Sequence, residues 1–260
     1  MNFRTIICVF IALIMLPAAV SGKVVTETVS YAQGGVTLEG YLAYDDAITG
    51  ERPGVLVVHE WWGLNDYARG RAEKLAALGY NAFALDMYGK GKMTDHPDRA
   101  AEWSKAVTGN IETWRGRALA GLEVLRQHPN TDKNRIAAIG YCFGGSTVQQ
   151  LAYSKADIRG VVSFHGSLIN PPEDLTGGVP AKMLICHGAA DPMAKRENIP
   201  DYISAMEKSG VDWQLIMYGG ARHSFTNPGA DSHGMEAVAY SKSADQRSWE
   251  HMKLFLDELF

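Results

Sequence analysis

Residues 23–260 of this chain predict one α/β domain, a mostly parallel central sheet with helices on both faces and an antiparallel hairpin at its N-terminal end. Three observations predict it. Short apolar runs alternate with helical patterns, which is the rhythm of strand–helix–strand units. The runs are unbroken rather than alternating in polarity, as strands covered on both faces are. The stretch before them, VVTETVSYAQGGVTLEGYLAY, alternates instead and turns at Gly34-Gly35, the pattern of a hairpin at a sheet edge.

Taken in order, the apolar runs are 54–60, 80–88, 135–142, 158–166, 181–188 and 212–220. Helical patterns occupy about 65–79, 95–108, 111–128, 145–154, 196–209 and 235–258. Asn65 and Asp95 are suited to cap helix starts, and Gly79 and Gly210 to stop helices. No repeat, low-complexity tract or linker interrupts the series. A chain of 260 residues, 46% hydrophobic and 21% charged, is ordinary globular material with enough length for a real core.

The first 22 residues stand apart. MNFRTIICVFIALIMLPAAVSG has a basic start at Arg4, an apolar stretch from Ile6 to Leu16, then Pro17 and small residues, the pattern of a secretory signal cleaved after Ser21 or Gly22. The expected location is periplasmic or secreted, with no stable membrane insertion after cleavage; left uncleaved, the same stretch would act as an anchor. Its removal takes away Arg4 and moves the formal charge of −4 to −5. With no basic block, neither nucleic acid nor an anionic membrane surface is an expected partner. The expected assembly is a monomer or weak homodimer.

In a parallel sheet, ligands bind outside the carboxyl ends of the strands. That edge collects His59 and Glu60, Asp86, Cys142, His165, His187 and Asp191, and His223 just past the last run. Of these, Cys142 has the most specific surroundings. An apolar run ends in Gly140-Tyr141-Cys142-Phe143-Gly144-Gly145 and passes into a helical pattern. This is the strand–turn–helix elbow that exposes a nucleophile, with Cys in the position usually held by Ser. Bulky side chains at Gly140 or Gly144 would collide with the neighbouring strand and helix. The helix N-terminus favours thiolate, and the Phe143 N–H is placed to receive a developing oxyanion.

A thiol needs a base and the base an orienting carboxylate. Asp191 follows one strand and His223 the last, so the chain order is nucleophile, acid, base. Cys186, in the middle of a run, reads as a packed core residue. In the strand order usual for a sheet with such an elbow, its strand does not adjoin that of Cys142, which argues against a disulfide between the two.

Five stretches carry a resemblance: HEWWGLN (59–65), LDMYGKGK (85–92), GYCFGG (140–145), HGAADP (187–192) and ARHSF (221–225). Together they resemble the dienelactone hydrolase family of the α/β-hydrolase fold. The resemblance implies Cys142 as nucleophile, Asp191 and His223 as its partners, Glu60 as a carboxylate near the resting thiol, and an oxyanion hole from the Phe143 and Trp61 amides. It implies hydrolysis of small carboxylic esters or lactones without cofactor or metal. The best-known members hold a substrate carboxylate with two arginines; here the nearest positions carry Lys90 and Asn227, with Arg222 beside the catalytic His as a further cation. Trp62 and Tyr88 complete the expected substrate-binding set.

Three other functions are weighed. A zinc hydrolase could draw on His59, His165, His187 and Glu60, but no pair has ligand-like local spacing, and these histidines read better as pocket-lining or strand-end residues. A non-catalytic binder of small esters would need a missing catalytic part, and none is missing. A thiol redox protein would need a resolving cysteine, and there is no C-x-x-C.

Overall fold

The computed structural model describes residues 22–260 except 176 and 195; the rest of the expected export signal lies outside the described residues. The chain builds an eight-stranded sheet in the order β1-β2-β4-β3-β5-β6-β7-β8. β1 (Val24–Gln33) and β2 (Val36–Asp45) form the expected hairpin, turning at Gly34-Gly35, and β2 runs antiparallel to β4 (Asn81–Leu85). From β4 onward every pairing is parallel, through β3 (Arg52–Val58), β5 (Thr131–Tyr141), β6 (Gly160–Phe164), β7 (Lys182–Gly188) and β8 (Trp213–Tyr218).

Alternate residues along each strand feed opposite layers. Leu56, Val58 and Ala138 pack under α2 (Pro97–Thr108), α3 (Ile111–Gln127), α4 (Phe143–Tyr153) and α5 (Ile199–Ser209). Val55, Val57, Ala137 and Ile139 pack under α1 (Asp66–Ala76) and α6 (Lys242–Leu259). Burial on both faces is why these strands read as unbroken apolar runs. Among the described residues no helix is long and apolar enough to cross a membrane.

Several boundaries depart from the sequence expectation. Asn65 does cap α1, accepting from the Ala68 N–H at 3.3 Å. Asp95 does not cap α2; the cap position is His96, whose side chain makes no capping bond, and Pro97 starts the helix with its pre-set φ. The last helix starts at Lys242, not 235, because Gly234 turns left-handed and Ser241 takes the cap, leaving 235–241 to pass beside His223 through a bridge to Val238. α1 ends at Ala76 rather than 79, with Gly79 (φ +95°) turning the chain two residues past the cap. β3 stops at Val58, so Glu60 stands beyond the strand, free of the ladder.

β5 and β7 are separated by β6, and both Cys142 and Cys186 are free. The parallel register aligns the ends of β3, β5, β6 and β7 along one edge, where the chemistry-bearing residues meet.

Candidate active site

The elbow follows from close approach. A Cβ on Gly140 would strike the Gly144 carbonyl, and one on Gly144 would strike the carbonyls of Val58 and His59. With both absent, α4 begins at Phe143 directly against the end of β3, two residues earlier than its pattern suggests. Cys142 is left at φ 53°, ψ −115°, a backbone strain on the order of 1–3 kcal/mol that the surrounding packing must hold. Its N–H donates both to Phe164 O at 3.0 Å, continuing the ladder, and to His165 Nδ1 at 3.1 Å. His165 Nε2 in turn donates to Thr226 Oγ1 at 2.6 Å, so the ring braces the elbow against the loop that carries His223. Burial, then the neighbouring charge of His223, pushes the His165 pKa far down and keeps this ring neutral.

The structure brings Cys142, Asp191 and His223 together. His223 Nδ1 donates to Asp191 Oδ2 at 2.8 Å, and the other carboxylate oxygen accepts from the Met193 N–H at 2.8 Å. Burial opposes the imidazolium, but the charge of Cys142 and the Asp191 bond outweigh it and raise the His223 pKa well above its ordinary value. Burial likewise opposes the Asp191 carboxylate, yet the His223 bond and charge hold it below its ordinary range. His223 Nε2 is buried with no partner at hydrogen-bond distance, and with Nδ1 taken by Asp191 it is the ring nitrogen left to exchange a proton with Cys142. Cys186 differs: it is fully buried, and burial pushes its thiol up to about 12.

Glu60 is 1% exposed. Ser224 Oγ and Asn227 Nδ2 each donate to one of its oxygens at 2.6 Å. Burial raises its pKa against these two bonds and the positive influence of His223. Ser224, in a left-handed conformation at φ 55°, was not legible as part of the site; adjacency to His223 was the only signal.

The expected substrate-binding residues divide. Asn227 is committed to Glu60 and, through Oδ1, to the Gly229 N–H at 2.9 Å. Lys90 pairs with Glu39 at 2.6 Å on the surface, and Arg222 donates to the Glu236 carbonyl at 2.9 Å. All three groups expected to meet a substrate carboxylate are therefore engaged elsewhere. Trp62 is 3% exposed and stacked on His233 at 4.0 Å; with Asn65, Asp66 and Met93 the pair borders a shallow cleft that contains neither Cys142 nor His223. Trp61 is half-buried against Trp62, ring centroids 4.9 Å apart. Tyr88 packs on His59 and Phe143, its hydroxyl buried without a partner; burial, then the charge of Cys142, pushes its pKa up.

Trp61 N–H and Phe143 N–H make no hydrogen bond within the described residues. Of the histidines weighed as zinc ligands, His59 and His165 have both ring nitrogens committed to protein partners, and no group of three or more metal-ligating side chains forms among the described residues. A cleft of about 550 Å³ between residues 170–175 and α5 is lined by none of the site residues.

The sequence profile of the dienelactone hydrolase family matches residues 38–260. The crystal structure of a dienelactone hydrolase-like promiscuous phosphotriesterase from metagenomic libraries superposes with a TM-score of 0.88 at 38% identity, covering 92% of this chain and 100% of that one. The structure named m3DLH gives 0.88 at 39% identity over the same shares. A Saccharolobus solfataricus protein named "Putative carboxymethylenebutenolidase" is 26% identical over 266 residues, 88% of this chain and 97% of that protein.

Proposed function

This chain belongs to the dienelactone hydrolase family, and on that premise we propose that it hydrolyses small, uncharged carboxylic esters or lactones through the Cys142 thiolate. The observation that carries the reading is the juxtaposition of Cys142, on its glycine-bounded elbow, with a buried His223 whose Nδ1 donates to Asp191 at 2.8 Å. Such a pair supplies a thiolate nucleophile and an imidazolium acid together.

In the proposed cycle the Cys142 sulfur attacks the ester carbonyl, and the oxygen that gains the charge meets the Phe143 and Trp61 N–H groups. Collapse breaks the bond to the leaving oxygen, which takes the proton from His223 Nε2. The thioester left on Cys142 is attacked by water, whose proton passes to His223, and the acid leaves with the thiolate restored. Asp191 holds the imidazole in the tautomer that both halves require.

Uncharged substrates are proposed because Lys90, Arg222 and Asn227 are engaged elsewhere, while the half-buried Trp61 offers apolar surface. Phosphotriesters are uncharged as well, and one relative is named for hydrolysing them, so they belong in the assay panel as a side activity. The alternative of an ester-binding module without catalysis is discarded by any turnover. Export through residues 1–22 remains part of the proposal, tested by the mass of the mature chain.

The decisive experiment is a panel of neutral and anionic esters and lactones with purified protein, with mass spectrometry after rapid quenching. A covalent acyl adduct on the peptide containing Cys142 is the expected result. Turnover without dependence on Cys142 would discard the mechanism.

A further inference from the structure

We propose that His59 is a positioning residue for the oxyanion hole: its ring holds the Glu60 carbonyl and so turns the N–H of the same peptide, that of Trp61, into the site. The inference rests on the hydrolase reading above and adds to it a residue that touches neither substrate nor sulfur.

His59 is fully buried at the end of β3. The Met87 N–H donates to its Nε2 at 3.2 Å, so that nitrogen carries no proton. Burial keeps the ring neutral, which leaves its one proton on Nδ1, donated to the carbonyl of Glu60. The Gly63 N–H donates to the same carbonyl at 3.3 Å. A trans peptide points its C=O and N–H in opposite directions, and no cis bond occurs among the described residues. Two donors on the Glu60 oxygen therefore fix the heading of the Trp61 N–H, which has no acceptor of its own among the described residues.

The ring also reaches the other donor. It stacks on Phe143 at 5.9 Å with 23° between the planes, while Gly144 lies against the carbonyls of Val58 and His59. One side chain thus braces both residues whose amides would receive the oxyanion. Hydrophobic filling alone explains the burial, but not a ring with both nitrogens satisfied by backbone groups from two different loops.

Three variants separate the roles. His59→Leu fills the space without hydrogen bonds; His59→Asn puts an N–H at the Nδ1 position; His59→Gln puts its amide at the Nε2 position. Two rates are measured on each: kcat for a neutral ester, and the alkylation of Cys142 by iodoacetamide, which needs the thiolate but builds no oxyanion. Losing one oxyanion donor costs on the order of 10²–10³ in kcat, and that fall is expected in His59→Leu and His59→Gln with KM little changed. His59→Asn should recover at least about tenfold of it. Alkylation should stay within about threefold of the parent in all three, because the bonds that hold Cys142 itself go to Phe164 and His165, not to His59.

Alkylation falling in step with kcat would overturn the proposal, since His59 would then be holding the elbow as a whole. So would an unchanged kcat, a change confined to KM, or a Gln variant as active as the Asn variant. If the parent protein is alkylated at Cys142 yet turns over no ester, the hydrolase reading falls first and this inference with it.

Discussion

Asn227 places its side-chain amide on Glu60 Oε2 at 2.6 Å, across 167 residues of chain. A position expected to face the substrate is thereby turned inward, onto a buried carboxyl whose other oxygen is taken by Ser224. An amide bonds this carboxyl without neutralising it, so burial dominates and the proton is held more tightly than in an exposed glutamate.

That sign has a consequence for stability. A carboxyl whose folded pKa is raised keeps its proton in the native state at pH values where the unfolded chain has lost it. Native stability therefore declines from the ordinary value of 4.5 upward until the folded Glu60 also ionises. Glu60→Gln has no such proton to lose. The difference in Tm, Glu60→Gln minus parent, is expected to rise with pH across that window in thermal melts. A difference that is flat or falls would mean that Glu60 is not shifted upward.

Asp191→Asn should leave the fold intact and lower kcat by roughly 10²–10⁴, because the ring loses its orienting anion. His223 has a raised folded pKa, so its contribution to stability is complete below the ordinary value of 6.5 and is lost as pH rises through the folded value. Asp191 has a depressed one, so its contribution is lost as pH falls below its ordinary 3.8 toward the folded value. The stability advantage of the parent over the variant should therefore be greatest between these limits and shrink above pH 6.5. Chemical denaturation at a series of pH values checks it.

Cys142→Ala should abolish ester hydrolysis with little change in Tm. A true nucleophile is worth several orders of magnitude, and more than about a tenth of parental kcat would end the covalent mechanism. Iodoacetamide should label Cys142 before Cys186, which is fully buried with a thiol pushed up to about 12. Peptide mapping after partial alkylation reads the order directly.

Neutral aryl or short-chain esters and lactones should be preferred to carboxylated dienelactones of similar reactivity. Forgoing a charge-assisted bond to a substrate carboxylate forfeits roughly 1.5–3 kcal/mol, about 10- to 150-fold in affinity. A tenfold preference for the anionic lactone in kcat/KM would show that Lys90 or Arg222 leaves its present partner when substrate binds. Arginine introduced at position 227 alone should not create a clamp, because Glu60 stands 2.6 Å from the present amide and would pair with it first.

The line of the backbone was legible from residue to residue. Unbroken apolar runs specified strands buried on two faces, and the glycines around Cys142 specified an elbow because no Cβ fits there. A parallel sheet then sends the carboxyl ends of its strands to one edge, which is why the sequence pattern alone brings Cys142, Asp191 and His223 to one edge. Helix starts were less legible. Asp95 has the chemistry of a cap, but Pro97 suits the first helical turn, and one residue's shift moved the cap to His96.

By itself, then, the sequence determined the strands and the elbow, since each is encoded by neighbours a few positions apart, and the chain order of Cys142, Asp191 and His223. Only the tertiary structure decided where the polar side chains spend their hydrogen bonds: Asn227 on Glu60, Lys90 on Glu39, Arg222 on the Glu236 carbonyl, and His59 between Met87 and the Glu60 peptide. Most of these pairings join separate loops or strands, and none carries a periodicity. Which donor reaches which acceptor is settled only when burial removes water as the competing partner.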